Sequence, residues 1–323
     1  MTYSAGSTIV ATDYNDFKNR LNQVIGLGTE NGGSGGNSGY GQTNTISAVS
    51  ASNTVTANEW TNLFTRLRST LSHQGSSTTI TAANVATGDT VAIKTGLDTD
   101  CTTATTNRNN AAAGSLASAV NVTNVNGTAR TTAWNSQIQH VFTITFAASG
   151  TAPAGAGAQD AARFFFNSGG YLNLSVSGAN GSGAQDTAWS NLLAAVGTIK
   201  FAGAATTKTG GSGTPTTLAT TTGYYQMATT NTTVFKQFDT TANYTANYVQ
   251  IDIKTDTITD PNSRGGKGSV LTITITLNDA HTNAFSDTVN LDVTSNVQYV
   301  GHNTTYLNNV AWTITGATTT SWA

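Results

Sequence analysis

Along the last third of the chain, apolar residues return at every second position. Val249, Ile251 and Ile253 form one such run and Leu271, Ile273, Ile275 and Leu277 a second. Val289, Leu291 and Val293 follow, then Val310, Trp312 and Ile314. Successive residues of a strand point to opposite faces, so a period of two puts each set on one side of an extended segment. The same period begins earlier, with His140, Phe142, Ile144 and Phe146. Turn-rich stretches such as "DTITDPNSRGGKG" separate the runs, which predicts an antiparallel β-sandwich.

Only 9 % of the residues are charged, against roughly 25 % in ordinary soluble domains. The solvent faces of the strands must then be threonine, asparagine and serine, and Thr272, Thr274 and Thr276 are expected to point outward. A formal net charge of −2 argues against nucleic acid, which demands clustered Lys and Arg. No apolar run reaches the roughly 18–20 residues of a membrane span. The start, "MTYSAGSTIV", has neither a basic nor an apolar leader region, so no secretory signal is expected. Cys101 is the single cysteine, which rules out an internal disulfide. A sparsely charged chain without leader or disulfide suits a virion component, assembled in the host cytoplasm.

The first 75 residues follow another rule. "IVATDYNDF" and "VTANEWTNL" align at an offset of 46, placing Tyr14 over Trp60, Phe17 over Leu63 and Leu21 over Leu67. Tyr14, Phe17, Leu21, Val24 and Ile25 recur at helical spacing, as do Trp60, Leu63, Phe64, Leu67 and Leu71. Thr56 and Glu59 have the spacing of a capping box, and Thr12 is a candidate N-cap for the first copy. Gly26, Gly28 and Gly75 supply the stops. Each copy thus reads as an amphipathic helix that is marginal alone. Its packing anchors (Tyr14, Phe17, Leu21, Trp60, Leu63 and Leu67) can bury against each other, against the downstream body or against another subunit.

Between these regions the pattern is weaker. Residues 76–135 read as an irregular connection, with "ITAANVATGDTVAI" hinting at a turn and strand and "NRNNAAAGSLASAVNV" compatible with helix or extended chain. Residues 162–177 read as a β-hairpin, with Phe164 and Phe166 on one face, "NSGG" as the turn and Leu172, Leu174 and Val176 returning. "DTAWSNLLAAVG" reads as a short helix entering the strand "TIKFAG". The division is a duplicated helical docking module that would attach the protein to its particle (1–75), an irregular connection (76–135) and a β-sandwich region (136–323) with sub-parts 136–245 and 246–323. The fold class is mainly β, α+β overall.

No catalytic, cofactor or metal set emerges. "SRGGKGS" lacks the phosphate-loop spacing and sits between strands, so it reads as a turn with Arg264 and Lys267 exposed. Asp252, Asp256, Asp260 and Asn262 have no calcium-loop spacing and read as solvated turn residues. His73, His140, His281 and His302 are scattered and predict no zinc site. Cys101 has no activating motif and reads as a small apolar residue. Tyr224, Tyr225, Tyr244 and Tyr248 are candidates for stacking on a glycan, with core packing as the competing reading.

Three blocks together carry a resemblance. "AGSTIVATDYNDFKNRLNQVIGLGT…GYGQ", "ANEWTNLFTRLRSTLSHQG" and "ARFFFNSGGYLNLSVSG…DTAWSNLLAAVGTIKF" resemble uncharacterised structural proteins of tailed bacteriophages, especially those infecting cyanobacteria. The resemblance implies a non-enzymatic virion protein, with other phage structural proteins as partners and a fibre-like place in tail, neck or baseplate. A symmetric homo-oligomer, trimer or hexamer, is the expected assembly. The alternatives are a capsid decoration or tail-shell protein, and a receptor-binding lectin-like module contacting a host surface glycan.

Overall fold

The computed structural model describes residues 11–30, 37–80, 94–117, 129–280 and 288–319. Three helices come first: α1 (Ala11–Ile25), α2 (Ala57–Gln74) and α3 (Lys94–Thr106). The body follows as β1 (Gln137–Ala148), α4 (Ala158–Asn167), β2 (Tyr171–Ala179), α5 (Ala184–Val196) and β3 (Thr198–Phe201). It continues through β4 (Thr206–Thr209), β5 (Thr217–Leu218), β6 (Thr232–Phe238) and β7 (Tyr248–Thr255). The last strands are β8 (Val270–Asn278), β9 (Asp292–Val300) and β10 (Trp312–Thr319). The ten strands form two antiparallel sheets in an α+β fold, ordered β10-β1-β8-β7-β6-β5 and β4-β3-β2-β9. Thr206 N donates to Ala219 O across 3.2 Å, tying β4 to the chain just past β5, where the two sheets come together.

α1 and α2 form as the sequence predicts. In α2 Thr56 Oγ1 accepts from Glu59 N while the Glu59 carboxylate accepts from Thr56 N, closing the capping box. Gly75, at φ 70°, ends the helix in the left-handed region, where a Cβ is costly. Thr12, by contrast, lies inside α1 and not at its cap. The chain returning from α1 is held by asparagine side chains: Asn22 exchanges bonds of 2.8 and 2.9 Å with the Ile46 backbone, and Asn15 does the same with Val49.

A third helix, α3, occupies the stretch that the sequence leaves irregular. Leu97, Cys101 and Ala104 sit one helical turn apart and join the cluster built by α1 and α2. The remainder of "ITAANVATGDTVAI" and "NRNNAAAGSLASAVNV", at 81–93 and 118–122, lies outside the described residues.

The proposed hairpin at 162–177 is a correction. Its first arm is α4, and only the second, β2, is a strand. Asp160 Oδ2 accepts from Gly157 N at 3.0 Å, fixing the helix start. Phe164, Phe165 and Phe166 are all buried, and so is the polar stripe of Asp160, Arg163 and Asn167, so the helix is enclosed on its polar face as well. Phe166 touches Phe146 of β1 and Phe201 of β3, which places α4 between the two sheets.

β1, β7 and β8 pair in the register that their alternation implies, Phe142 opposite Ile273 and Ile251 opposite Ile275. Two runs are displaced: Val289 and Leu291 precede β9, and Val310 precedes β10. The threonine face also needs correcting, because Thr274 and Thr276 are 8 % and 4 % exposed. β8 is a central strand, and longer side chains on its neighbours overhang it, Gln139 Nε2 donating to Thr276 Oγ1 at 3.2 Å.

Candidate functional site

There are two hydrophobic clusters, one built on α1–α3 and their loops together with Leu307 of the β9–β10 loop, and one within the body, against which Leu27 packs. Apart from those two leucines, what joins them is largely polar and converges on α4, where fully buried groups must find partners or the fold loses the desolvation energy. Arg163, completely buried, donates from Nη2 to Leu27 O just past α1 and to Asp160 Oδ1, both at 2.7 Å. Arg264 donates to the other Asp160 oxygen at 2.7 Å. Gly28 and Gly39 flank the guanidinium, and a Cβ on either would lie 2.8 or 2.9 Å from Nη1. Its Nε and Nη1 have no hydrogen-bond partner among the described residues, and the group stacks 4.8 Å from the Phe164 ring centroid.

One turn later Asn167 Nδ2 donates to Gly39 O at 3.0 Å, and Tyr225 OH donates to Asn167 Oδ1 at 2.6 Å. At the end of α4, His73 of α2 donates from Nε2 to Ser168 O at 3.1 Å. Ser168 Oγ donates to Phe164 O at 2.7 Å and lies 2.7 Å from His302 Nδ1, which accepts from Trp312 Nε1 at 3.2 Å. His302 Nε2 therefore carries the proton and donates to Asn309 O. Gln42 completes the joint, its amide donating to Asn309 O and accepting from the Asn308 and Asn309 backbone N–H groups. Burial lowers both imidazoles, His73 to about 3 and His302 to about 4, the former also repelled by its partner ring. Both rings are neutral at pH 7. The serine–imidazole contact is enclosed, and the second imidazole nitrogen meets a carbonyl and not a carboxylate, so the arrangement fastens elements together.

The six helical anchors, Tyr14, Phe17, Leu21, Trp60, Leu63 and Leu67, come together in a single cluster of this chain. Tyr14 and Trp60 meet edge to face at 5.3 Å between ring centroids, and burial raises the Tyr14 hydroxyl to about 12. The tyrosines proposed for glycan stacking are not assembled into a surface. Tyr224 stacks on Phe166 inside the body, and its hydroxyl donates to Gly268 O. Tyr225 and Tyr244 are buried as well. Tyr248 alone is part-exposed, with Lys236 Nζ 3.7 Å from its ring centroid.

The turn residues are also bound up in the fold. Asp256 Oδ1 accepts from Ser269 N and Val270 N, while Asp260 accepts from Asn262 N, Arg264 N and Gly266 N, so both acids shape the long turn. Arg264, expected to be exposed, is instead docked on Asp160 with a side chain 15 % exposed. Asp252 holds Thr233 and Gln250. His140 bonds Ser295 across the two sheets, and His281 lies outside the described residues. Cys101 is buried and its thiol is raised to about 12. Among the described residues no three His, Cys, Asp or Glu side chains gather to hold a metal ion, and no helix is long and apolar enough to cross a membrane.

Sequence reasoning missed Arg163, Asn167, Ser168, Gln42 and Asn309. The available signal was a charged residue next to three phenylalanines, a setting where a charge is either exposed or paired. No family model, no curated protein and no solved structure matches the chain.

Proposed function

We propose that the chain is a non-enzymatic structural component of a tailed-phage virion, forming a fibre-like appendage of tail, neck or baseplate as a symmetric homo-oligomer. One observation carries this reading. The sequence blocks that resemble phage structural proteins lie far apart in the chain, yet they meet at the polar joint. Leu27, Gly39, Gln42 and His73 come from the first two blocks; Arg163, Asn167 and Ser168 come from the third. The resemblance thus covers one spatial unit that holds a helical layer against a β body. Such a unit suits a rigid building block whose outer surfaces are left for neighbouring subunits. Because the aromatic anchors are buried inside the chain, attachment to the particle uses the polar outer faces of α1–α3 or of the sheets.

The test is quantitative mass spectrometry of purified particles, scaled to the major capsid protein. An appendage gives a handful of trimers or hexamers per particle. Hundreds of copies would mean a capsid decoration or tail shell, and absence from washed particles would overturn the virion assignment.

A further inference from the structure

We propose that the His73–Ser168–His302 contact is an acid-released latch, whose opening loosens the end of α2 and the 301–312 loop from the last turn of α4 while the strands of the body stay folded. The rings stand 6.2 Å apart at 90°, one on α2 and one on the loop after β9, with the last turn of α4 between them. Both are buried, 0 % and 2 % exposed. In the neutral state His302 Nδ1 is occupied by the Trp312 N–H, with only the Ser168 hydroxyl beside it, and His73 Nδ1 faces no hydrogen-bond partner among the described residues. A proton added to His302 Nδ1 would oppose the Trp312 N–H that this nitrogen now accepts. A proton added to His73 Nδ1 would be a buried donor with no partner among the described residues, at a cost only water relieves.

The charged and titratable groups packed round the joint offer no relief. Tyr40 lies edge-on to His73 at 5.3 Å, its hydroxyl accepting from Gln74. Arg108, after α3, and Arg163, on α4, are cations whose fields reach Tyr40 or Tyr225. Asp160, the carboxylate of α4, is already shared by Arg163 and Arg264. A second imidazolium would add like-charge repulsion.

The sign follows from linkage. Both imidazoles are lowered in the closed state, so their contribution to closure is full above the ordinary value of about 6.5 and is lost as pH falls towards about 4. At pH 5 an exposed imidazole binds protons roughly 30-fold more favourably than a closed one, and two together shift opening by about 1000-fold. Local opening is the accessible response, because this contact is made of hydrogen bonds, with Leu307 and Leu27 the apolar residues that cross between the two clusters.

Hydrogen exchange of the full chain at pH 7.5 and 5, corrected for intrinsic rates, tests this. Amides at the end of α2, at 164–170 and at 301–312 are expected to lose at least 100-fold protection relative to β7 and β8. Loss in parallel with β7 and β8 would overturn the latch. The His73→Gln/His302→Gln variant should lose the differential pH response, and its persistence would overturn the role of the imidazoles. Should that variant not fold, His73→Gln alone is expected to leave a response of about 30-fold, and an unchanged response would likewise overturn it.

Discussion

Helices α1 and α2 derive from one repeated phrase, and the alignment that sets Tyr14 over Trp60 also sets Leu27 over His73. These two equivalent positions both reach α4, by opposite chemistry. Leu27 offers a backbone carbonyl to the Arg163 side chain, whereas His73 offers a side-chain donor to the Ser168 carbonyl. The helix ends differ in the same way. After α1, the Glu30 carboxylate gathers the N–H groups of Leu27, Gly28 and Thr29, leaving the Leu27 carbonyl beside a buried cation. α2 runs on to a left-handed glycine, so that its last turn carries His73 into the body. The repeated phrase thus aligns Ala11 with Ala57 at the helix starts, while α2 runs three residues beyond the position equivalent to Ile25 and the two ends take different roles.

The sharpest way to break this comparison is to remove the anion beneath copy one. Asp160→Ala leaves Arg163 buried without its counter-ion and should cost about 3–5 kcal/mol in urea unfolding. A cost below about 1 kcal/mol would show that water reaches the guanidinium. Next, Leu21→Ala and Leu67→Ala, at equivalent and fully buried positions, should each cost about 2–5 kcal/mol. Similar values would confirm that the copies are equal within the core and differ only at their ends.

Glycine substitutions then separate those ends. Gly28→Ala would place a Cβ 2.4 Å from Ser38 O, whereas at Gly75 the nearest atom is 3.5 Å away. Gly75→Ala should cost about 1–2 kcal/mol for its left-handed backbone alone, and Gly28→Ala should lower the melting temperature further. The smallest effect belongs to the capping box, where Thr56→Ala should cost about 1 kcal/mol. Thr12→Ala, inside α1, should cost less than Thr56→Ala in the same thermal scan.

Legibility followed the kind of surface that each element buries. α1, α2 and α5 were readable because apolar positions at helical spacing are bounded by glycine and a capping acid. β1, β7 and β8 were readable because their apolar residues alternate with polar ones, even where both faces are covered, as on β8. α4 was not: its polar stripe, Asp160, Arg163 and Asn167, is buried like its apolar residues, and a run of three phenylalanines fits either period. α3 was obscured by threonines, which dilute the spacing of Leu97, Cys101 and Ala104. The joint escaped for another reason, since its bonds between the helical layer and the body link residues at least 95 apart in sequence, as His73 and Ser168 are.

The sequence by itself determined the local elements with regular apolar spacing: the repeated helices, their caps, and the alternating strands of an α+β fold. Local periodicity is set by side chains a few residues apart, and that information is written in order along the chain. Only the tertiary structure decided that the aromatic anchors pack on their own chain, that α4 sits between two sheets, and that a buried arginine and two histidines fasten the halves. Those outcomes depend on which distant carbonyls and carboxylates arrive beside a polar group, because burial makes such a partner necessary without naming it.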